Sequence, residues 1–233
     1  RRCATAPAAL LAQLLVLACN TVVTMAAPAA VIWLHGLGDS GAGWSDLEGQ
    51  LRPHIKHVTH WRFPDAPHLP VTLNGGYRMP AWFDLDELPV VETTKDDEPG
   101  FAAAIKTVHK LCAEAEAAGI PSHRIVVGGF SQGAATALLA ALSYPRRLGG
   151  AVVFSGWLAL RDKFPGFIHA AQLRPPLPIL QVHGSLDDKV AFSLGKLTRA
   201  ELQRHGLDAV TWREYRMGHA MAPQQPAELL KFL

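Results

Sequence analysis

Ser131 stands in a sequence setting in which a serine hydroxyl can act as a nucleophile. It lies in the segment Gly-Phe-Ser-Gln-Gly of residues 129–133, which follows the apolar run Ile125–Val127 and precedes helix-forming residues at 134–140. A Gly-x-Ser-x-Gly motif between a strand and a helix is typical of a nucleophile elbow, a sharp turn that presents the hydroxyl at the helix N-terminus. The alternative is an ordinary serine that caps a helix. The strand–turn–helix context favours the nucleophile.

Such a hydroxyl needs a base to take its proton, and the base needs a carboxylate to orient it. In chains with a nucleophile elbow, the serine comes first, the Asp or Glu second and the His third along the sequence. Asp187 and Asp188 come directly after a predicted strand at 179–182. His219 follows the next predicted strand, whereas His205 ends a predicted helix and is expected to be solvated. His219 is therefore the candidate base, the alternative being a capping or surface histidine.

Acyl transfer also needs hydrogen-bond donors for the negative oxygen of its tetrahedral intermediate. The glycine-rich segment 35–41 follows the apolar run Ala30–Leu34, at the kind of strand end where open α/β sheets bind ligands. The backbone N–H groups of Leu37 and Gln132 are the candidate donors. A phosphate-binding loop is the competing interpretation, but no Gly-Lys-Ser/Thr follows. Because the donors belong to the backbone, substitution of either side chain is expected to change turnover little unless it shifts the loop.

The order of the apolar segments predicts how these groups come together. Strand-like runs alternate with helical patterns, which predicts an α/β fold with a mostly parallel sheet and helices on both faces. The expected strands are 30–34, 58–63, 125–127, 151–154, 179–182 and 210–215. The expected helices are 44–51, a helix that starts within 96–99 and runs to 119, 134–143, 192–205 and 227–233. His109 and Lys110 are expected on the solvated side of their helix.

The segment 64–91 is long, rich in proline and without a regular pattern, yet it carries several large apolar side chains. A long irregular insert in a compact domain is often functional, and an apolar one suggests the wall of a site for an apolar ligand. A well-packed surface loop is an equally good interpretation.

Composition and charge exclude other classes of function. Apolar residues make up 49% of the 233 residues, and the 22 basic and 20 acidic side chains leave a net charge of +2. The basic residues are scattered, so no nucleic-acid partner is expected. The cysteines at 3, 19 and 112 have no metal-ligand spacing. Neither a metal site nor structural disulfides are expected, and the chemistry above needs no cofactor.

Residues 1–29 differ from the rest of the chain. Two arginines precede a 12-residue apolar run, Ala8–Cys19, a pattern typical of a targeting segment and too short to span a membrane comfortably. We favour the alternative of non-native upstream sequence, because Met25 stands just before the first core strand. The catalytic domain is expected at 30–233. Its expected location is the cytoplasm, or outside the cell or in an organelle if residues 1–24 are a targeting segment.

Several motifs occur in one order along the chain. They are residues 35–41, 64–67 with 70–74, 79–84, 128–133 and His183-Gly184-x-x-Asp187. Together they resemble the acyl-protein thioesterase and lysophospholipase family of serine esterases, nearly without gaps from about residue 31 to 232. The resemblance implies an α/β hydrolase without a bulky lid. It also implies that the catalytic groups are Ser131, Asp187 rather than Asp188, and His219, with Leu37 and Gln132 as oxyanion donors.

The same resemblance implies a function. The family hydrolyses long-chain acyl thioesters on S-acylated proteins through an acyl-enzyme, with side activity on lysophospholipids and soluble carboxylic esters. Such substrates would allow transient contact with a membrane surface. Two alternatives are a carboxylesterase or lysophospholipase with the same chemistry, and a non-catalytic ligand receptor with a hydrolase fold. A complete set of catalytic side chains argues against the receptor.

An acyl channel lined partly by residues 64–89 is also implied. The candidates for its lining, each equally explained as plain core, are Leu73, Met79, Trp82, Phe83 and Trp157. The chain departs from the family pattern at Ala134, where glycine is usual, at Gly75-Gly76, which loosens the loop, and directly after His219. None of these departures removes a catalytic group.

We expect a fluorophosphonate probe to label the purified protein, and Ser131→Ala to abolish the labelling. The reason is that the probe reacts with a serine hydroxyl that a neighbouring base activates. Labelling is read from a gel. An unlabelled wild-type protein would favour the receptor, and labelling that survives the substitution would remove Ser131 as the nucleophile.

Overall fold

The computed structural model of the protein describes residues 27–233. The predicted targeting or upstream segment, residues 1–29, therefore lies outside the described residues apart from its last three. Within 27–233, no helix combines the length and the apolar character needed to cross a membrane.

The described chain forms a six-stranded sheet, a two-stranded antiparallel ribbon and five α-helices. The strands are β1 (Ala29–Leu34), β2 (Val58–Arg62), β3 (His68–Val71), β4 (Tyr77–Pro80), β5 (Ile125–Phe130), β6 (Gly150–Phe154), β7 (Ile179–Gly184) and β8 (Val210–Tyr215). The helices are α1 (Asp46–Leu51), α2 (Glu98–Ala117), α3 (Gln132–Ser143), α4 (Phe192–Arg204) and α5 (Gln225–Phe232). The large sheet has the order β2-β1-β5-β6-β7-β8, and every neighbouring pair is parallel. The predicted α/β class is confirmed.

Both faces of the sheet are covered, and the apolar run of β1 reflects this. All six residues of β1 are buried. Ile32 and Leu34 lie in a hydrophobic cluster to which α2, α3 and α4 contribute. Val31 and Trp33 lie in a second cluster, completed by α1 and α5. Because successive side chains of a strand point to opposite faces, a strand covered on both sides has to be apolar throughout.

The parallel arrangement places the loops that carry chemistry at one edge. Leu34 of β1 pairs with Gly129 of β5, and Gly184 of β7 pairs with Tyr215 of β8, so these strands end at a similar level. The segments that follow them begin side by side at the carboxyl edge of the sheet. Within residues 27–233 no large lid domain covers that edge.

Part of the segment 64–91 is regular, contrary to the expectation of irregular structure. It contains the ribbon of β3 and β4. Gly75 and Gly76 permit its turn, since both have positive φ (64° and 81°). Pro70 and Pro80 obscured the ribbon in the sequence, because proline cannot donate to a strand ladder. A two-stranded ribbon tolerates them, since each strand keeps one open edge.

The prediction that His109 lies on the solvated side of its helix is wrong. Its Nε2 lies 2.9 Å from the carbonyl oxygen of Ala140 and 3.3 Å from Ser143 Oγ, both on α3. The neighbouring Val108 is fully buried, and the contact between α2 and α3 extends far enough to include the next residue. Lys110 is exposed, as predicted.

The first turn of α3 runs against the end of β1. An ideal Cβ at Gly133 would lie 2.3 Å from the carbonyl oxygen of Leu34 and 2.4 Å from that of His35. A Cβ at Gly129 would lie 2.6 Å from the same Leu34 oxygen. No side chain fits at these separations, so both glycines of the elbow are required by the close approach of two backbones.

We expect Gly133→Ala to lower the free energy of unfolding by about 1–3 kcal/mol, because the added methyl group overpacks against fixed carbonyls. The matched control is Gly49→Ala in α1, where a Cβ would meet no atom within 4 Å. Alanine there should be neutral or stabilising by up to about 1 kcal/mol. Urea denaturation measures both. Equal stabilities for the two variants would contradict the close approach.

Candidate active site

Ser131 has a backbone conformation that few residues other than glycine adopt. Its φ is 54° and its ψ is −121°, at the junction of β5 and α3. Such conformations are unfavourable by about 1–3 kcal/mol and are concentrated at functional sites. The backbone is held by its N–H, which donates to the carbonyl oxygen of Phe154 at 2.9 Å, and by its own carbonyl, which accepts from Ala134 at 3.0 Å. The sharp turn leaves the hydroxyl at the N-terminus of α3.

Three of the predicted side chains form one chain of hydrogen bonds. His219 Nε2 lies 2.8 Å from Ser131 Oγ, and His219 Nδ1 lies 2.8 Å from Asp187 Oδ2. When Nδ1–H donates to the carboxylate, Nε2 is left as an acceptor for the hydroxyl proton. Asp188 has a different environment, because it is largely exposed and its Oδ2 lies 3.3 Å from Lys189 Nζ.

The carboxylate of Asp187 is fully buried, and both of its oxygens accept hydrogen bonds. Oδ1 accepts from the backbone N–H groups of Lys189 at 2.9 Å and Val190 at 2.8 Å. Burial alone would raise the pKa of Asp187, but the hydrogen bonds from His219 and from these two N–H groups outweigh it and hold the pKa below its ordinary value. Asp187 therefore stays ionised and can stabilise a positive charge on the imidazole of His219.

His183 is a second histidine beside Asp187, and no role is predicted for it from the sequence. Its Nε2 donates to the carbonyl oxygen of Val190 at 3.0 Å and lies 3.5 Å from Asp187 Oδ2. Burial lowers the pKa of His183, so the ring is neutral. The sequence does hold a signal for a supporting role of His183, because the histidine lies in the apolar strand β7, where every residue is buried. A buried ring needs polar partners, and here it supports the loop that carries Asp187.

The two predicted oxyanion donors flank Ser131. Gln132 follows Ser131 directly in the chain. Leu37 is brought close by its neighbour Gly36, since an ideal Cβ at Gly36 would lie 3.5 Å from the Cβ of Ser131. Neither the N–H of Leu37 nor that of Gln132 has an acceptor among residues 27–233. Both groups are therefore available to a negatively charged oxygen.

The loop 35–41 is fixed at two further points. Gly38 N–H donates to the carbonyl oxygen of Pro80 at 2.8 Å, and Gly41 N–H donates to Asp65 Oδ1 at 2.7 Å. Both partners belong to the segment 64–91. That segment therefore supports the loop that carries one of the free N–H groups.

A largely apolar cavity of about 300 Å³ opens beside Ser131 and His219. Its other lining residues are Gly36, Leu37, Asp39, Leu85, Leu88, Val90, Phe130, Trp157, Lys189 and Val190. Burial of alkyl groups against such a surface is favourable by about 0.8 kcal/mol per methylene. The arrangement can therefore hold an acyl chain with its carbonyl carbon near the hydroxyl.

Of the five predicted acyl-pocket residues, only Trp157 lines this cavity. Trp82 and Phe83 lie in the core, where the Phe83 ring stacks on Phe101 at 3.9 Å between centroids. Leu73 and Met79 belong to the ribbon and its turn, outside the lining of the cavity. The segment 64–91 does contribute to the lining of the cavity, but through Leu85, Leu88 and Val90. In a segment without helical or strand periodicity, the sequence does not reveal which side chains face inward.

The profile of a family described as phospholipase/carboxylesterase matches residues 18–233. The chain belongs to this family. The resemblance inferred from the motifs is thereby confirmed, and with it the assignment of the protein to the α/β hydrolases.

Individual members of the phospholipase/carboxylesterase family are similar over most of their length. A protein of Schizosaccharomyces pombe named acyl-protein thioesterase 1 is 42% identical over 171 residues, which cover 72% of this chain and 74% of the relative. A protein of Oryza sativa subsp. japonica named as a probable carboxylesterase is 38% identical over 206 residues, or 86% and 77% of the two chains. The crystal structure of Arabidopsis thaliana SOBER1 has a TM-score of 0.83 at 32% identity, covering 88% of this chain and 97% of that one.

We expect the stability of this family member to fall as the pH is lowered from about 7.5 to 5, with His183 as one cause. In the unfolded chain a histidine has a pKa of about 6.5. Burial lowers the pKa of His183 in the folded state. As the pH falls toward 5, the unfolded chain therefore binds more protons at this position than the folded chain does. The stability contribution is therefore complete above the unfolded pKa and is lost as the pH falls toward the folded one.

The check is urea denaturation at both pH values for wild type, His183→Gln and His123→Gln. His183→Gln should reduce the loss of stability, because glutamine does not titrate and can still donate to Val190. His123 has an exposed side chain, so its variant should behave like wild type. An unchanged pH dependence in His183→Gln would contradict this account.

Proposed function

We propose that the protein is a serine hydrolase that cleaves long-chain acyl thioesters from S-acylated proteins. The observation that carries the proposal is the continuous chain of hydrogen bonds from Asp187 through His219 to Ser131. A serine hydroxyl bonded to an imidazole, which is itself bonded to a buried carboxylate, is the arrangement that nucleophilic acyl transfer requires.

In the proposed mechanism, His219 Nε2 takes the proton of Ser131 as its oxygen attacks the acyl carbonyl carbon. Asp187 holds the Nδ1–H tautomer and stabilises the imidazolium that forms. The oxyanion accepts hydrogen bonds from the N–H groups of Leu37 and Gln132. The C–S bond then breaks, His219 protonates the leaving thiolate, and the acyl-enzyme remains. Water activated by His219 releases the fatty acid and restores the serine.

The apolar cavity supports an acyl substrate. Leu85, Leu88 and Val90 form one wall beside the nucleophile, and Trp157 lines it as well. Among the relatives, the Schizosaccharomyces pombe protein carries the name acyl-protein thioesterase 1. The cytoplasm stays the predicted location, with secretion or an organelle as the alternative if residues 1–24 are a targeting segment. Transient contact with a membrane surface fits S-acylated substrates.

A second candidate function uses the same chemistry on small carboxylic esters or lysophospholipids. It is supported by the name of the Oryza sativa relative, a probable carboxylesterase, and by the moderate size of the cavity, about 300 Å³. A receptor without catalysis is disfavoured, because His219 is hydrogen-bonded both to Asp187 and to Ser131.

We expect the purified protein to release acid from p-nitrophenyl octanoate and from a palmitoylated peptide, and Ser131→Ala to abolish both reactions. Asp187→Asn should lower kcat by about 10⁴, because the wrong imidazole tautomer is then favoured. Asp188→Asn is the matched control, since this carboxylate is exposed and should leave turnover unchanged. Liquid chromatography and absorbance follow the two products.

The outcomes separate the candidates. Turnover of the short ester with no release of palmitate would favour the carboxylesterase. Equal losses in Asp187→Asn and Asp188→Asn would contradict the role of Asp187, and activity that survives Ser131→Ala would reject the mechanism.

A further inference from the structure

Trp82 is hydrogen-bonded to both halves of the proposed oxyanion site. Its backbone N–H donates to Gln132 Oε1 at 2.8 Å, and its indole Nε1–H donates to the carbonyl oxygen of His35 at 2.9 Å. Gln132 carries one proposed donor N–H, and His35 lies two residues before Leu37, which carries the other. A single residue therefore joins the two segments that supply the donors.

These bonds are shielded from water. Trp82 is 2% exposed, and Gln132 and His35 are fully buried. A buried group that loses its partner is left unsatisfied at a cost of about 1–3 kcal/mol. The bonds consequently resist small displacements of either segment.

Each end of the connection is held by a further bond. Gln132 Nε2 donates to the carbonyl oxygen of Phe83 at 2.7 Å, so its amide group is bonded to two consecutive residues. The ring of His35 accepts at Nε2 from the N–H of Ala66 at 3.0 Å. That bond assigns the proton to Nδ1, which donates to the carbonyl oxygen of Gly36 at 2.7 Å.

We propose that Trp82 is a positioning residue that sets the separation of the two oxyanion donors, and that the Gln132 side chain is the second part of the same device. The inference rests on the proposed function, since it assigns an effect to donors that act only in acyl transfer. It bears on two expectations from the sequence. Of the two alternatives given for Trp82, acyl pocket or core, the core applies. Substitution of the Gln132 side chain is expected to change turnover if it shifts the loop, and loss of its bonds to Trp82 and Phe83 is such a case.

The separation of the donors matters because both N–H groups must reach one oxygen at the same time. Effective donors lie about 2.7–3.1 Å from the position of the oxyanion rather than of the ground-state carbonyl. A displacement of about 1 Å can lower the rate by about 10². The loss should fall on kcat, because the donors bind the transition state more tightly than the substrate.

The first test compares Trp82→Phe with Trp33→Phe. Trp82→Phe keeps an aromatic ring in the core and the backbone bond to Gln132, but removes the donor to His35. Trp33 is a matched control, because it is fully buried and its Nε1 has no acceptor in the described chain. We expect kcat for p-nitrophenyl octanoate to fall by about 10- to 100-fold in Trp82→Phe only, with KM little changed.

The second test compares Gln132→Met with Gln172→Met. Gln172 is also fully buried, and its amide also bridges backbone groups, accepting from Leu148 N–H at 3.3 Å and donating to the carbonyl oxygen of Tyr144 at 2.9 Å. Both variants should lose stability, because each leaves buried backbone groups without a partner. Only Gln132→Met should lose kcat, by a factor similar to that of Trp82→Phe.

Each kcat is expressed per serine titrated with a fluorophosphonate, so that unfolded protein is not counted. A boronic acid, whose adduct with Ser131 places an oxygen at the oxyanion position, should lose affinity in step with kcat. If Trp82→Phe leaves no titratable serine, the glutamine pair decides. Equal kcat values within each pair of variant and control would overturn the inference. Failure of the wild-type protein to react with ester or fluorophosphonate would instead overturn the proposed function.

Discussion

The site depends on the close approach of two backbones, the first turn of α3 and the end of β1. No Cβ fits at position 129 or 133 against the Leu34 carbonyl, and Ser131 between these glycines has a positive φ of 54°. The elbow and the loop 35–41 lie in direct contact, with an ideal Cβ at Gly36 only 3.5 Å from the Cβ of Ser131. This contact sets the relative positions of the hydroxyl and of the two N–H groups that have no acceptor in the described chain.

The charge of Asp187 is the second feature on which the site depends. Asp187 is a buried carboxylate, yet the hydrogen bonds from His219, Lys189 and Val190 hold its pKa low. The neutral His183 adds a further polar contact at 3.5 Å without adding a competing charge. In the proposed mechanism, this fixed negative charge at the far side of the imidazole allows His219 to carry a proton during acyl transfer.

The sequence predicted the α/β class because alternating apolar strands and amphipathic helices are local patterns. It also singled out Ser131, His219 and the pair Asp187 and Asp188 as candidates, since a glycine-flanked serine and polar residues after strands are local signals too. The choice of Asp187 over Asp188 came from the resemblance to the family. The ribbon of β3 and β4 escaped prediction, because Pro70 and Pro80 mask strand character. The prediction for His109 failed for a different reason. How many residues of α2 contact α3 depends on both helices, so the sequence of α2 alone does not show that His109 lies in that contact.

By itself, the sequence determined which residue types stand at the ends of which strands, and thereby the family and the kind of chemistry. Only the tertiary structure decided which large side chains face the cavity and which face the core. Trp82 is the clearest case, since its apolar ring is compatible with either place. Its location follows from the partners of its two N–H groups, Gln132 Oε1 and the His35 carbonyl, which lie 50 and 47 residues away along the chain. Contacts at such distances arise from packing of the whole domain, and no local pattern records them.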